Sequence, residues 1–175
     1  MTMPPQLCKL ALTAHVTSSV GWLGAVASFL ALAVVGLTSQ DAQMVRAAYL
    51  AANLSTWFVI VPLSVASLLT GLVQSLGTTW GLFRHYWVLA KLLLTIFATI
   101  VLLIHTQPIS YMAGVAGETT LSNADLGKQK LQLVVASGAG LLVLLVTTTL
   151  AVYKPRGLTP HGWRKQRERR RLLVP

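Results

Sequence analysis

The side chains of this chain best suited to chemistry are a few ionisable residues set in or beside apolar sequence: His15, Arg84, His85, Lys91 and His105. Lys91 lies in GLFRHYWVLAKLLLTIFATIVLLIH, the stretch from Gly81 to His105, about a turn and a half inside the apolar span that begins at about Tyr86. A charge at that depth in a bilayer is costly. Such a residue either marks a functional position or snorkels along its own stem toward the surface. His85 and His105 lie twenty residues apart, about 30 Å along a helix, so they mark opposite faces of a bilayer and cannot share one metal ion or haem. One imidazole with a second ligand can hold haem iron inside a helical bundle. On that chemistry the candidate cofactor is haem b, with His15 and His85 as candidate iron ligands. Arg84 and Lys91 would then pair with propionates, and His105 is an outlying position at the outer edge. The alternative is no cofactor, the histidines being interfacial residues at the membrane boundary. The fourth histidine, His161, lies among basic residues and reads as solvated.

Those residues need elements that bring them to one depth, and the charge pattern supplies them. The 175 residues are 54% hydrophobic and 10% charged, against about 25% in a soluble domain. No Asp, Glu, Lys or Arg occurs from Leu10 to Gln40, Ala47 to Phe83, Leu92 to Gly117 or Leu131 to Tyr153. Each gap exceeds the roughly 20 residues a helix needs to cross the hydrocarbon core. The prediction is an all-α, polytopic membrane protein: a four-helix up-down bundle over 1–153, with spans at about 10–37, 47–75, 86–106 and 129–153. A basic tail, 154–175, follows. The first apolar run is too long for the h-region of a cleavable signal peptide.

Charge also sets orientation. The tail carries eight of the chain's Lys and Arg residues and Glu168, 8 − 1 = +7 of a total +10. The positive-inside rule places it in the cytoplasm, and four spans return the N-terminus to the same side. N-in and C-in, in a plasma or bacterial inner membrane, is the expected topology. A juxtamembrane tail of this kind suits anionic lipids, each basic residue gaining roughly 1 kcal/mol near such a leaflet. Nothing in the chain resembles a nucleic-acid recognition fold, so nucleic acid is not an expected partner.

Taken in order, the first span repeats His15, Ser18 or Ser19, Trp22 and Val26 at helical spacing. Its pairs Gly21/Ala25, Gly24/Ser28 and Ala27/Ala31 allow another helix to come close, and a homodimer or membrane partner is plausible on those faces. The second span carries Pro62 near its middle, which predicts a kink. Ser64, Ser67, Gly71 and Gln74 form one polar, small face there. That face either satisfies the kinked backbone or lines a ligand cavity. Thr106 to Gly127, with Pro108, reads as the longest external connection. The fourth span holds nothing ionisable and reads as structural. Entering from the same side, the first and third spans put His15 at the depth of Lys91. On the third, Arg84, Lys91, Ala98 and His105 share a side, with His85 about 120° away.

LTAHVTSSVGWLGAV in the first span and TTWGLFRHYWVLAKLLLTIFATIVLLIHT in the third resemble a family of small bacterial integral membrane proteins grouped as a domain of unknown function. WGLFRHYWVLAK is the most specific part, and the likeness covers roughly the four-helix region. More distantly, the His-x6-Trp-Leu-Gly first helix is similar to copper-resistance D-type membrane proteins. A first-helix His with a third-helix Lys and a distal His is similar to the haem-containing J-type protoporphyrinogen oxidases. That likeness implies His15 as an axial ligand and Lys91 as its functional partner. The fuller motifs of those enzymes are missing, so oxidase activity is not implied.

Two functions follow. One is a membrane protein that binds b-type haem through His15 and the inner end of the third helix. The other is a non-catalytic membrane subunit or small-solute transporter component with no cofactor. Copper handling is weaker, because Met1, Met3, Met44 and Met112 are scattered and Cys8 stands alone. A lone cysteine also excludes an intrachain disulfide. No Ser-His-Asp set, phosphate-binding Gly loop or paired intramembrane carboxylates occur, so hydrolytic and nucleotide chemistry are not expected.

Overall fold

The structure, a computed structural model, describes residues 3–77, 85–117 and 124–153, then 157, 159, 160, 162–164 and 167. Its elements are α1 (Pro5–Thr38), α2 (Ala42–Ser55), a π-helical turn (Thr56–Ile60), α3 (Val61–Gly77), α4 (Tyr86–Gly117) and α5 (Ala124–Tyr153), with no strand among the described residues. Apolar sequence of this length turns helical in a bilayer because only a helix satisfies every backbone donor and acceptor within the segment. Four helices are long and apolar enough to cross a membrane: Pro5–Thr38, Ala42–Gly77, Tyr86–Val115 and Gly127–Tyr153. Large apolar side chains such as Phe58, Phe97, Ile104 and Leu142 point outward. The bilayer covers them.

Each span begins before its charge-free gap, and the first two carry their own start signals. Pro5 at the first helical position suits α1, whose fixed φ costs nothing there. Asp41 caps α2, accepting from the Gln43 N–H at 2.9 Å. Pro62 has its expected effect just upstream of itself. It cannot donate to the Phe58 carbonyl, and the preceding turn widens so that the Val61 N–H reaches Thr56 O. Thr56 Oγ1 donates to Ala52 O at 2.8 Å and Ser64 Oγ to Val61 O at 2.8 Å, so local hydroxyls serve the disturbed backbone. Both side chains are fully buried.

The expected external connection from Thr106 is instead helix up to Gly117, with Pro108 inside it. Packing overrides the proline. Ile109, Met112 and Ala113 fall on one face of α4 and are buried, so continued helix hides more apolar surface than a loop would. His105 Nδ1 donates to Val101 O at 2.8 Å and Thr106 Oγ1 to Leu103 O at 2.7 Å, placing side-chain donors beside the interrupted ladder.

α1 packs against α2, α3 and α5, and α4 packs against the same three elements. The four spans therefore close a ring in chain order. The Met3 N–H donates to Gly77 O at 3.3 Å, which sets the start of α1 at the end of α3; the Tyr86 N–H donates to Gly157 O at 3.4 Å, which sets the start of α4 just past α5. The core holds Trp22, Phe29, Tyr49, Ile60, Met112 and Leu144. Gly36 lets α2 approach α1, since a Cβ there would lie 2.5 Å from Tyr49 Cζ. Between the second span and α4, Trp57 Nε1 of the π-helical turn donates to Ser110 Oγ at 3.2 Å and Ser110 Oγ to Asn53 Oδ1 of α2 at 3.1 Å. That polar clip has no counterpart in the sequence expectations.

Candidate functional site

The buried face of α1 is Ala11, His15, Ser18, Trp22, Val26 and Phe29, the stripe its periodicity predicts. It lies against α3, and His15 meets that helix where it carries glycine. A Cβ at Gly71 would sit 3.1 Å from His15 Cε1, so the imidazole rests on bare backbone. Its Nδ1 lies 3.1 Å from Ser67 O and 3.1 Å from Thr70 Oγ1. The Thr70 hydroxyl donates to Ala66 O at 2.6 Å, leaving a lone pair toward the ring. Nδ1–H donates to this pair of oxygens.

The other nitrogen faces α4. Lys91 Nζ lies 3.1 Å from His15 Nε2. An ammonium has donors and no acceptor, so Nε2 accepts from Lys91 and the ring is the neutral Nδ1–H tautomer. Both edges of His15 are thereby committed, one to α3 and one to α4. Around them Ser19 and Ser67 share a hydrogen bond of 2.8 Å between α1 and α3, and Thr95 Oγ1 donates to Lys91 O at 2.8 Å.

The pair lines a half-open cleft of about 690 Å³ between α1, α3, α4 and α5. Ser67, Gly71 and Gln74 from the polar face of the second span line it as well. So do Trp22, Trp87, Thr147 and Thr148. Lys9 and Lys91 bring positive charge, and no Asp or Glu stands among the described residues of the lining. Among the described residues the Lys91 ammonium donates to His15 alone, which leaves two hydrogens for a ligand. The cleft can receive an anion.

The predicted site residues divide. His15 and Lys91 come together across 76 positions of sequence. His85 is half-buried with its ring 6.4 Å from that of Trp87, and it is not among the residues lining the cleft. His105 lines a separate apolar cavity of about 270 Å³. Arg84 and most of the basic tail lie outside the described residues. Thr70, Thr147 and Thr148 were missed. Thr70 sits three residues after Ser67, and a run of three threonines in an otherwise aliphatic span marks the fourth helix.

The fit to haem can be tested on His15 itself. An Nδ1–H anchored on a backbone carbonyl is the arrangement that orients a metal-ligating histidine. Its Nε2 is held by Lys91, however, and no group of three His, Cys, Asp or Glu residues gathers among the described residues. His15 would hold iron only with Lys91 turned away from Nε2, and His85 does not line the same cleft. No protein-family model, curated protein or solved structure matches the chain.

Proposed function

We propose that this multi-pass membrane protein binds a small anionic ligand in the cleft between α1, α3, α4 and α5, with Lys91 as the charge that receives it and His15 as the group that positions Lys91. The observation that carries the reading is the 3.1 Å contact of Lys91 Nζ with a neutral imidazole, in a cleft whose described lining holds no carboxylate. A buried or half-buried cation ordinarily recruits a counter-charge, and here the ligand supplies it. The role is non-catalytic, as a binding subunit or a solute-transporter component. The same proposal sets both termini in the cytoplasm of a cell membrane, with the basic tail on anionic lipid. Titration of purified protein with a short-chain carboxylate tests it: wild type gives saturable heat, and Lys91→Met loses it. Equal binding by both proteins would overturn the reading.

A second reading, b-type haem on His15 alone, is favoured by the Nδ1–H to Ser67 O hydrogen bond. Haem would supply one-electron redox chemistry at its iron. His15 would hold the group, and Lys91 would turn from Nε2 toward a propionate. Protein purified from haem-replete cells would show a Soret band that His15→Ala removes. A colourless preparation ends this reading and leaves the first intact.

A further inference from the structure

Trp22 and Leu144 line both the polar cleft and the apolar cavity, so the two spaces are neighbours that share these side chains as a common wall. Beyond them the walls include Val26, Phe29, Ala98, Leu102 and Gly140. The hydroxyls of this second space, and one nitrogen of His105, are already engaged. Thr56 Oγ1 donates to Ala52 O, Ser137 Oγ to Leu133 O at 2.7 Å, and His105 Nδ1 to Val101 O. A polar solute would find no spare hydroxyl donor there, and a hydrocarbon chain needs none.

Resting on the anion-binding reading above, we propose that the ligand is a fatty-acid-like carboxylate: its head at Lys91, its single chain passing Trp22 into the apolar cavity. Lys9, the other cation of the lining, is exposed, so the Lys91–His15 pair offers one sheltered positive charge, which matches a monoanionic carboxylate. The lengths agree as well. Lys91 to Leu102 is eleven residues, about 16 Å along α4. One leaflet of hydrocarbon is about 15 Å deep, the reach of an ordinary acyl chain. Gly140 opens space for the chain, since a Cβ there would meet nothing within 4 Å.

The test uses the full chain in nanodiscs of zwitterionic lipid, titrated with hexanoate, with dodecanoate, and with dodecanoate brominated at its terminal carbon. Dodecanoate binds at least tenfold tighter than hexanoate, because each buried methylene adds to affinity. Lys91→Met weakens both acids about tenfold or more. Gly140→Leu, which fills the cavity, weakens dodecanoate and leaves hexanoate unchanged; Ala136→Leu, from the same wall, does the same should the first variant fold poorly. The brominated acid quenches tryptophan fluorescence saturably, and Trp22→Phe removes most of that quenching. Equal affinities for the two acids, or dodecanoate binding indifferent to both cavity-filling variants, would overturn the chain site while hexanoate still needed Lys91. If Lys91→Met left both acids unaffected, the anion reading itself would fall.

Discussion

Lys91 Nζ and His15 Nε2 stand 3.1 Å apart, joining α4 to α1, while the far edge of the same imidazole is tied to α3. One side chain thus couples three helices. The ammonium is held in place by a neutral acceptor and not by a carboxylate, which keeps its charge uncancelled. A salt bridge would have stabilised the lysine and closed the site to anions.

Lys91→Met should separate function from stability. Methionine keeps the apolar stem and removes a cation whose desolvation is only partly offset, a change that is often neutral or stabilising. Thermal unfolding in detergent should show a midpoint equal to or above wild type, with carboxylate binding lost. A large drop in the midpoint would mean that Lys91 is structural.

Gly71→Val tests the seat of the imidazole. Even a Cβ would lie 3.1 Å from His15 Cε1, and the branched methyls have nowhere to go unless the ring moves. His15 should leave Nε2 contact with Lys91, and ligand affinity should fall about tenfold, the worth of one charge-assisted hydrogen bond. Gly71→Ala demands only a few tenths of an ångström and should be milder. Identical affinities for wild type and the valine variant would show that His15 does not position Lys91.

Tyr49 is 2% exposed, and its hydroxyl has no hydrogen-bond partner among the described residues. A buried hydroxyl without a partner costs about 1–3 kcal/mol. Tyr49→Phe keeps the ring against Gly36 and removes that cost, so the variant should unfold at a higher temperature. Gly36→Ala should do the reverse: its Cβ would lie 2.5 Å from Tyr49 Cζ, and overpacking of this kind costs about 1–3 kcal/mol.

Ser110→Ala removes both links of the clip between Trp57 and Asn53. Interhelical hydrogen bonds in membranes contribute about 0.6 to 2 kcal/mol, and the loss should fall in that range. Binding at the cleft should be untouched, since none of the three residues lines it. Reduced affinity in a well-folded Ser110→Ala protein would contradict that separation.

Legibility differed by feature. The His15 stripe was readable because a helix repeats every 3.6 residues, and its buried face came out as Ala11, His15, Ser18, Trp22 and Val26. Pro62 announced a disturbance but not its form, since a proline removes a donor without dictating how the preceding turn recovers. Pro108 misled. Its local preference was outweighed by burial of Ile109, Met112 and Ala113, which only neighbouring helices make favourable. Thr70 stands three residues after Ser67, but that spacing does not reveal its contact with His15, because a hydroxyl in a span is more often tied to its own backbone, as Thr70 also is.

What the chain determined by itself is its four-span helical character. Bilayer thickness converts directly into a length of uncharged sequence, and that length can be counted along one dimension. Depth was legible by the same arithmetic, and it put His15 and Lys91 in one layer. Tertiary structure alone decided that they touch. Contact across 76 residues depends on how α1 and α4 are rotated and how closely they approach α3, and those are set by bare backbone at Gly71 and by packing around Trp22. It also decided that His85 lies outside the cleft and that an apolar cavity adjoins the lysine, because a cavity belongs to the space between helices and to no single segment.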